Sequence, residues 1–192
     1  MKRVFIALAA AGLVAAACGG AGTGAATSAP VAAATTAAAT TAAPTPQNTF
    51  VFTADLSPAN ENPPITDAEM SGSGTATVTI NTAKDSTGKL VGATAKFEIV
   101  LKGFPSTTLI LISHIHKGDA KTNGSVVVDS GMKATEPIAL TTGGTSITKD
   151  NLTITDLVLA ADIIANPGNY YYNVHSMLHM GGVVRGQLKL KA

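Results

Sequence analysis

The stretch Gly72-Ser73-Gly74-Thr75-Ala76-Thr77-Val78-Thr79-Ile80 puts Thr75, Thr77 and Thr79 on one parity and Ala76, Val78 and Ile80 on the other. Successive side chains of a strand point to opposite faces, so this is a strand with one wet and one dry face. Asp85-Ser86-Thr87-Gly88 follows as a turn. Leu90 to Leu101 then places Ala93, Ala95, Phe97, Ile99 and Leu101 on one face, with Thr94, Lys96 and Glu98 opposite. Two half-apolar strands joined by a turn make a hairpin that must bury one face against a second layer.

Short strands and turns continue on both sides. Thr49 to Leu56 reads as a preceding strand, and Thr107 to His116 as a more uniformly apolar one, expected centrally in a sheet and covered on both faces. Gly124 to Asp129, Pro137 to Leu140 and Asn151 to Thr155 read as shorter strands, with a Gly/Thr turn at Thr141 to Thr145. Asp156 to Ala165 breaks the rhythm. Asp156 caps a short helix carrying Leu157, Ala160, Ala161 and Ile164, which Pro167-Gly168 stops. Tyr170 to Ser176 and Val183 to Leu190 pair as a terminal hairpin across a His-Met-Gly-Gly loop. The sum is an all-β fold over residues 49–192: an antiparallel, Greek-key-like β-sandwich with one short helix.

The first 48 residues have a different texture. Lys2 and Arg3 precede an apolar run from Val4 to Ala17, shorter than the roughly 20 residues a spanning helix needs. A basic start, a short apolar core and small residues before a cut site form a secretory signal over residues 1–17. The segment Leu13-Val14-Ala15-Ala16-Ala17-Cys18 resembles a bacterial lipobox, with Ala15 where a Leu is usual. That resemblance implies a diacylglyceryl group on Cys18 and a partner in the membrane itself. Cys18 is the one cysteine, so no intramolecular disulfide forms. From Gly19 to Asn48 no charged or aromatic residue occurs, and Ala, Thr, Gly, Ser and Pro dominate. Such a segment buries too little to offset chain ordering, so residues 18–48 are expected to be a disordered tether, with an end-to-end distance of roughly 30 Å. The expected location is extracytoplasmic, at a bacterial cell surface or in a periplasm.

Thirteen basic and 12 acidic residues leave the chain nearly neutral, and no basic stripe exists. Nucleic-acid binding therefore has no electrostatic support. No Gly-x-Ser-x-Gly or phosphate-binding loop is present.

Two blocks near the start, Leu56-Ser57-Pro58-Ala59-Asn60-Glu61-Asn62-Pro63-Pro64 and Gly72-Ser73-Gly74-Thr75-Ala76, resemble the opening of the CHRD domain, named after chordin. His114-Ile115-His116, and the closing Tyr172-Asn173-Val174-His175 and Gly181-Gly182-Val183-Val184-Arg185-Gly186-Gln187-Leu188, are similar to its other hallmarks. The family usually reads Gln-Glu at Asn60-Glu61, and Glu at Val183. The resemblance implies a β-sandwich in an extracellular setting and leaves activity open.

All four histidines fall in two clusters: His114 with His116, then His175 with His179. Residues two apart on a strand share a face, so His114 and His116 converge, and a neighbouring strand would bring in His175 and His179. Imidazoles so gathered suit copper or zinc, and Met177 and Met180 would add soft sulfur. The blander reading is structural: His114 shares its strand face with Ile110 and Ile112 and bonds to backbone or Asn173, while His175 and His179 hold the hairpin loop. His114-Ile115-His116-Lys117-Gly118-Asp119 also loosely resembles the His-x-His segment of copper/zinc superoxide dismutases, which would make Arg185 the analogue of their functional arginine. No histidine lies between His116 and His175, so a zinc loop and bridging histidine have no counterpart. Glu61 and Arg185 are expected to form a structural ion pair linking the first and last strands. Of Tyr170, Tyr171 and Tyr172, at least one should face the core, and an exposed one would contribute to a contact surface.

With no complete catalytic constellation, these features add up to a lipid-anchored, non-enzymatic surface module that binds an extracellular protein or glycan. The alternative is a copper or zinc protein built on the histidines, with dismutase chemistry as its extreme form.

Overall fold

The computed structural model describes residues 45–191. Cys18 and most of the expected tether lie outside them. The strands are β1 (Thr45–Leu56), β2 (Ser73–Lys84), β3 (Leu90–Lys102), β4 (Leu109–Lys117), β5 (Val126–Asp129), β6 (Ile138–Ala139), β7 (Thr145–Thr153), β8 (Tyr170–Ser176), β9 (Val184–Gln187) and β10 (Lys189–Leu190), with α1 (Leu157–Ala165) between β7 and β8. They form two antiparallel sheets: β10-β1-β2-β3-β7, and β5-β4-β8-β9 with β6 also on β4. No helix among the described residues is long and apolar enough to cross a membrane.

The β2–β3 hairpin keeps the register its pattern demands, with Ala76 opposite Ile99, Val78 opposite Phe97 and Ile80 opposite Ala95, all buried. At the turn, the Asp85 carboxylate accepts from the backbone N–H groups of Thr87 and Lys89 at 2.9 and 3.0 Å, and Gly88 takes the positive φ of 84° that its lack of a Cβ permits. The dry face meets Ile110, Ile115, Tyr172 and Val174 of the second sheet in one core, where the Phe97 and Tyr172 rings lie 5.6 Å apart. Asp156 caps α1 as expected, accepting from Val158 and Leu159, but the helix buries Ala160 and Ile163 and leaves Ala161 exposed.

Three details depart from the expectations. The first strand starts at Thr45 rather than Thr49. The seventh begins at Thr145, within the expected turn; it is an edge strand that buries only Ile147, so its polar sequence hides it. A register break falls between Ile110 and Ile112, which pair with Ser176 and His175. This bulge interrupts the alternation, so Ile110 enters the core with Ile115 instead of sharing a face with His114.

Strand β8 is buried at every position. Tyr170, Tyr172 and Val174 belong to the core, so the opposite parity, Tyr171, Asn173 and His175, must be covered by something other than a sheet. Loops do it. Segments 57–65, 118–125 and 177–183 close over that face, tied by an isolated bridge between Ser57 and Arg185. None of the three tyrosines is exposed, so no tyrosine contact surface exists.

Candidate metal centre

Antiparallel pairing of β4 with β8 sets His114 opposite Asn173, His116 opposite Tyr171 and Ile112 opposite His175. The alternation that sends Ile115 inward sends His114 and His116 to the loop-covered face, where they meet His175. All three are buried, and one nitrogen from each lies within 4.8 Å of the others.

Hydrogen bonds fix the tautomers. His175 Nδ1 lies 2.8 Å from the Met180 carbonyl, and His116 Nδ1 lies 2.9 Å from the Gly124 carbonyl. A carbonyl only accepts, so both Nδ1 atoms carry the proton and both Nε2 atoms present lone pairs. His175 Nε2 faces His114 Nδ1 at 3.2 Å, whereas His116 Nε2 is buried with no partner. On its far side, His114 Nε2 lies 3.7 Å from Asp129 Oδ2. With its Nε2 accepting, His175 takes the hydrogen bond from His114 Nδ1–H, a proton that a bound ion would displace. Carbonyls behind His116 and His175 are the outer-shell partners that would orient metal ligands.

Burial keeps the rings neutral. Desolvation drives His175 down to about 4, aided by its two imidazole neighbours and opposed by the Met180 carbonyl. Desolvation also lowers His114, against the pull of Asp129, and His116, against its bond to Gly124. Neutral imidazole is the ligating form. The 3.2 Å nitrogen pair matches the roughly 3.3 Å edge expected of a tetrahedral site with bonds near 2.05 Å. With the three nitrogens within 4.8 Å of one another, the widest separation would close by at most roughly 1.5 Å to share one ion.

A buried guanidinium holds the surrounding loop. Arg185 is 1% exposed. It donates to the carbonyls of Thr122 (3.2 Å), Asp119 (3.4 Å) and Ala120 (2.7 Å) and to Asn123 Oδ1 (3.0 Å). It also lies 4.3 Å over the Tyr171 ring, which stacks on His116 at 4.9 Å. The Tyr171 hydroxyl accepts from the Gly124 N–H at 3.1 Å. Arg185 therefore positions the loop whose Gly124 carbonyl sets the His116 tautomer.

Two expectations need correcting. Arg185 makes no ion pair with Glu61 among the described residues; its donors go to loop carbonyls and Asn123. Glu61 is buried with Oε1 unpartnered, and desolvation lifts its carboxyl to about 7, against the charge of Arg185 and the Asn173 amide. An arginine so engaged is also a poor analogue of a dismutase arginine, because its N–H donors go to the loop and Tyr171 stands between it and His116. His179 stands apart from the other three. Its Nε2 lies 2.8 Å from Asp67 Oδ2, and its backbone N–H donates to Ser176 Oγ, which in turn donates to the buried Glu69. It clamps the hairpin loop to the turn at residues 67–71.

The His-x-His spacing and the closing hairpin pointed to three of these residues from sequence. Gly124, Met180 and Asp129 carried no signal, because backbone carbonyls and a loop carboxylate act through position alone.

A sequence model of the CHRD domain matches residues 52–188, from the start of the core in β1 to the last buried residue before β10. The chain belongs to the CHRD domain family. No curated protein and no solved structure matches it. All three clustered histidines, Arg185 and the loops that cover them lie within the CHRD match.

Proposed function

We propose that this CHRD domain is a metal-binding module, anchored outside the cytoplasm through a lipid on Cys18, in which His114, His116 and His175 hold one copper ion. The observation that carries the reading is the buried, partnerless His116 Nε2, beside a His175 Nε2 whose one partner is another imidazole, His114. A buried nitrogen left without a partner costs about 1–3 kcal/mol, which a cation at that point would recover. Nitrogen donors rank copper(II) above zinc, so copper is the favoured occupant and zinc the competitor for the same place. Binding, rather than turnover, is the proposed role.

The test is metal content of the chain from residue 18 with Cys18→Ser, which removes the single thiol. It is measured after copper or zinc loading and dialysis. The expected result is about one copper per chain, lost in His116→Ala and His175→Ala variants that keep the wild-type circular dichroism. A folded wild-type chain retaining neither metal would return the histidines to a structural role. The search would then move to an extracellular protein or glycan partner.

A further inference from the structure

His114 stands between two acceptors with one proton to give. It lies directly opposite Asp129 in the β4–β5 pairing, so the two side chains are cross-strand neighbours. The Asp129 carboxylate is anchored by its other oxygen: Oδ1 accepts from the Gly131 N–H at 2.6 Å, which leaves Oδ2 toward His114 Nε2. On the opposite edge of the ring, His114 Nδ1 faces His175 Nε2 at 3.2 Å, and the bond of His175 Nδ1–H to the Met180 carbonyl leaves that Nε2 an acceptor. A neutral imidazole carries one N–H, and burial disfavours the doubly protonated form. With the proton on Nδ1, the Nε2 lone pair faces a carboxylate oxygen at 3.7 Å with no hydrogen between them. With the proton on Nε2, two lone pairs face each other across 3.2 Å. Either tautomer leaves an acceptor facing an acceptor. A cation between His114 Nδ1 and His175 Nε2 relieves both conflicts, because it takes the place of the Nδ1 proton and frees Nε2 to donate to Asp129.

We infer that Asp129 is a positioning residue for the metal centre: it accepts from His114 Nε2–H only in the tautomer that ligates through Nδ1, and so selects that tautomer. This rests on the metal reading of the three histidines. One proton leaves Nδ1 for water as the ion arrives and one is taken up from water at Nε2, so His114 is neutral before and after. The Asp129 side chain is 65% exposed, which gives that exchange a route to solvent. The gap between His114 Nε2 and Asp129 Oδ2 then closes from 3.7 Å to about 2.8 Å.

The experiment uses the chain from residue 18 with Cys18→Ser and ¹⁵N-labelled histidine, with zinc(II) as the diamagnetic probe of the copper position. Long-range ¹H–¹⁵N correlations report which ring nitrogen carries the proton. His114 should read Nδ1–H without metal and Nε2–H with zinc, while His116 and His175 keep Nδ1–H in both states. Asp129→Asn keeps the Oδ1 acceptor for Gly131 and turns an N–H toward His114 Nε2, which holds the non-ligating tautomer. Its zinc affinity should fall about 10- to 100-fold with the circular dichroism unchanged. Zinc bound with His114 still protonated at Nδ1, or wild-type affinity in Asp129→Asn, overturns the inference and leaves the metal reading standing. A wild-type chain that takes up neither zinc nor copper overturns the metal reading, and the role of Asp129 falls with it.

Discussion

Replacing Glu61 by Gln should change the shape of the pH–stability profile of the metal-free protein. Two buried groups oppose each other. His175 titrates at the ordinary value of 6.5 when unfolded and at about 4 when folded. The unfolded chain therefore takes up a proton first as pH falls, and stability drops from pH 6.5 down to about 4. A difference of that size corresponds to about 3 kcal/mol. His114 and His116, also lowered by burial, act in the same direction. Glu61 ionises at 4.5 when unfolded and at about 7 when folded. Its contribution is fully present below pH 4.5 and is lost as pH rises to 7, again about 3 kcal/mol. Between pH 4.5 and 6.5 the Glu61 slope offsets that of His175, leaving the wild type a shallower profile than the three histidines alone would give. Glu61→Gln removes the falling limb, so stability should climb with pH about 3 kcal/mol more steeply than in the wild type. Urea unfolding followed by far-ultraviolet circular dichroism at half-unit intervals measures this, without metal and with chelator present. Superimposable wild-type and Glu61→Gln profiles would show that Glu61 titrates like an exposed carboxyl, and the account of its burial would be wrong.

Arg185→Lys keeps the charge but not the fork of donors to residues 119–123, so copper affinity should fall about 10- to 100-fold with the fold retained; competition with a chromogenic chelator reads it. Gly182 has φ 132°, and a Cβ there would lie 2.5 Å from Asn173 Nδ2 and 2.8 Å from Glu61 Oε2, so Gly182→Ala should cost about 2 kcal/mol in urea unfolding. Saturating copper should raise the unfolding free energy by about 2.7 kcal/mol at a hundredfold excess over the dissociation constant, and not at all in His116→Ala. Cys18→Ser should move the chain from the membrane to the soluble fraction in its native host, measured by fractionation and by loss of the lipid mass on the N-terminal peptide.

The strand alternation in Thr75 to Ile80 and Ala93 to Leu101 was legible because a face that packs against another sheet must be apolar at every second residue. The edge strand at Thr145–Thr153 was not, since an edge covered on one side tolerates Thr, Lys and Asp. The bulge at Ile110 to Ile112 also left no mark, because both residues are isoleucine and either parity looks plausible. His114, His116 and His175 stood out by type and spacing. Their convergence depended on the β4–β8 register, which a single residue of slip would have destroyed. The pairing of Glu61 with Arg185 misled because opposite charges at the two ends of a domain suggest an ion pair. A guanidinium has five donors, however, and the carbonyls of a tight loop satisfy them better than one carboxylate.

The bridge between Ser57 and Arg185 has a consequence for the order of events in folding. The loops over the histidines are fastened by a residue that lies almost at the end of the chain, on a strand that docks beside the exit of the first. Non-local closures of this kind come late, because the loop entropy between distant segments must be overcome first. A chain emerging N-terminus first would display His114 and His116 long before Arg185 arrives to seat the loop carrying Gly124. The centre is thus completed by the last strands to arrive, and an ion could be held there only once the whole domain had folded.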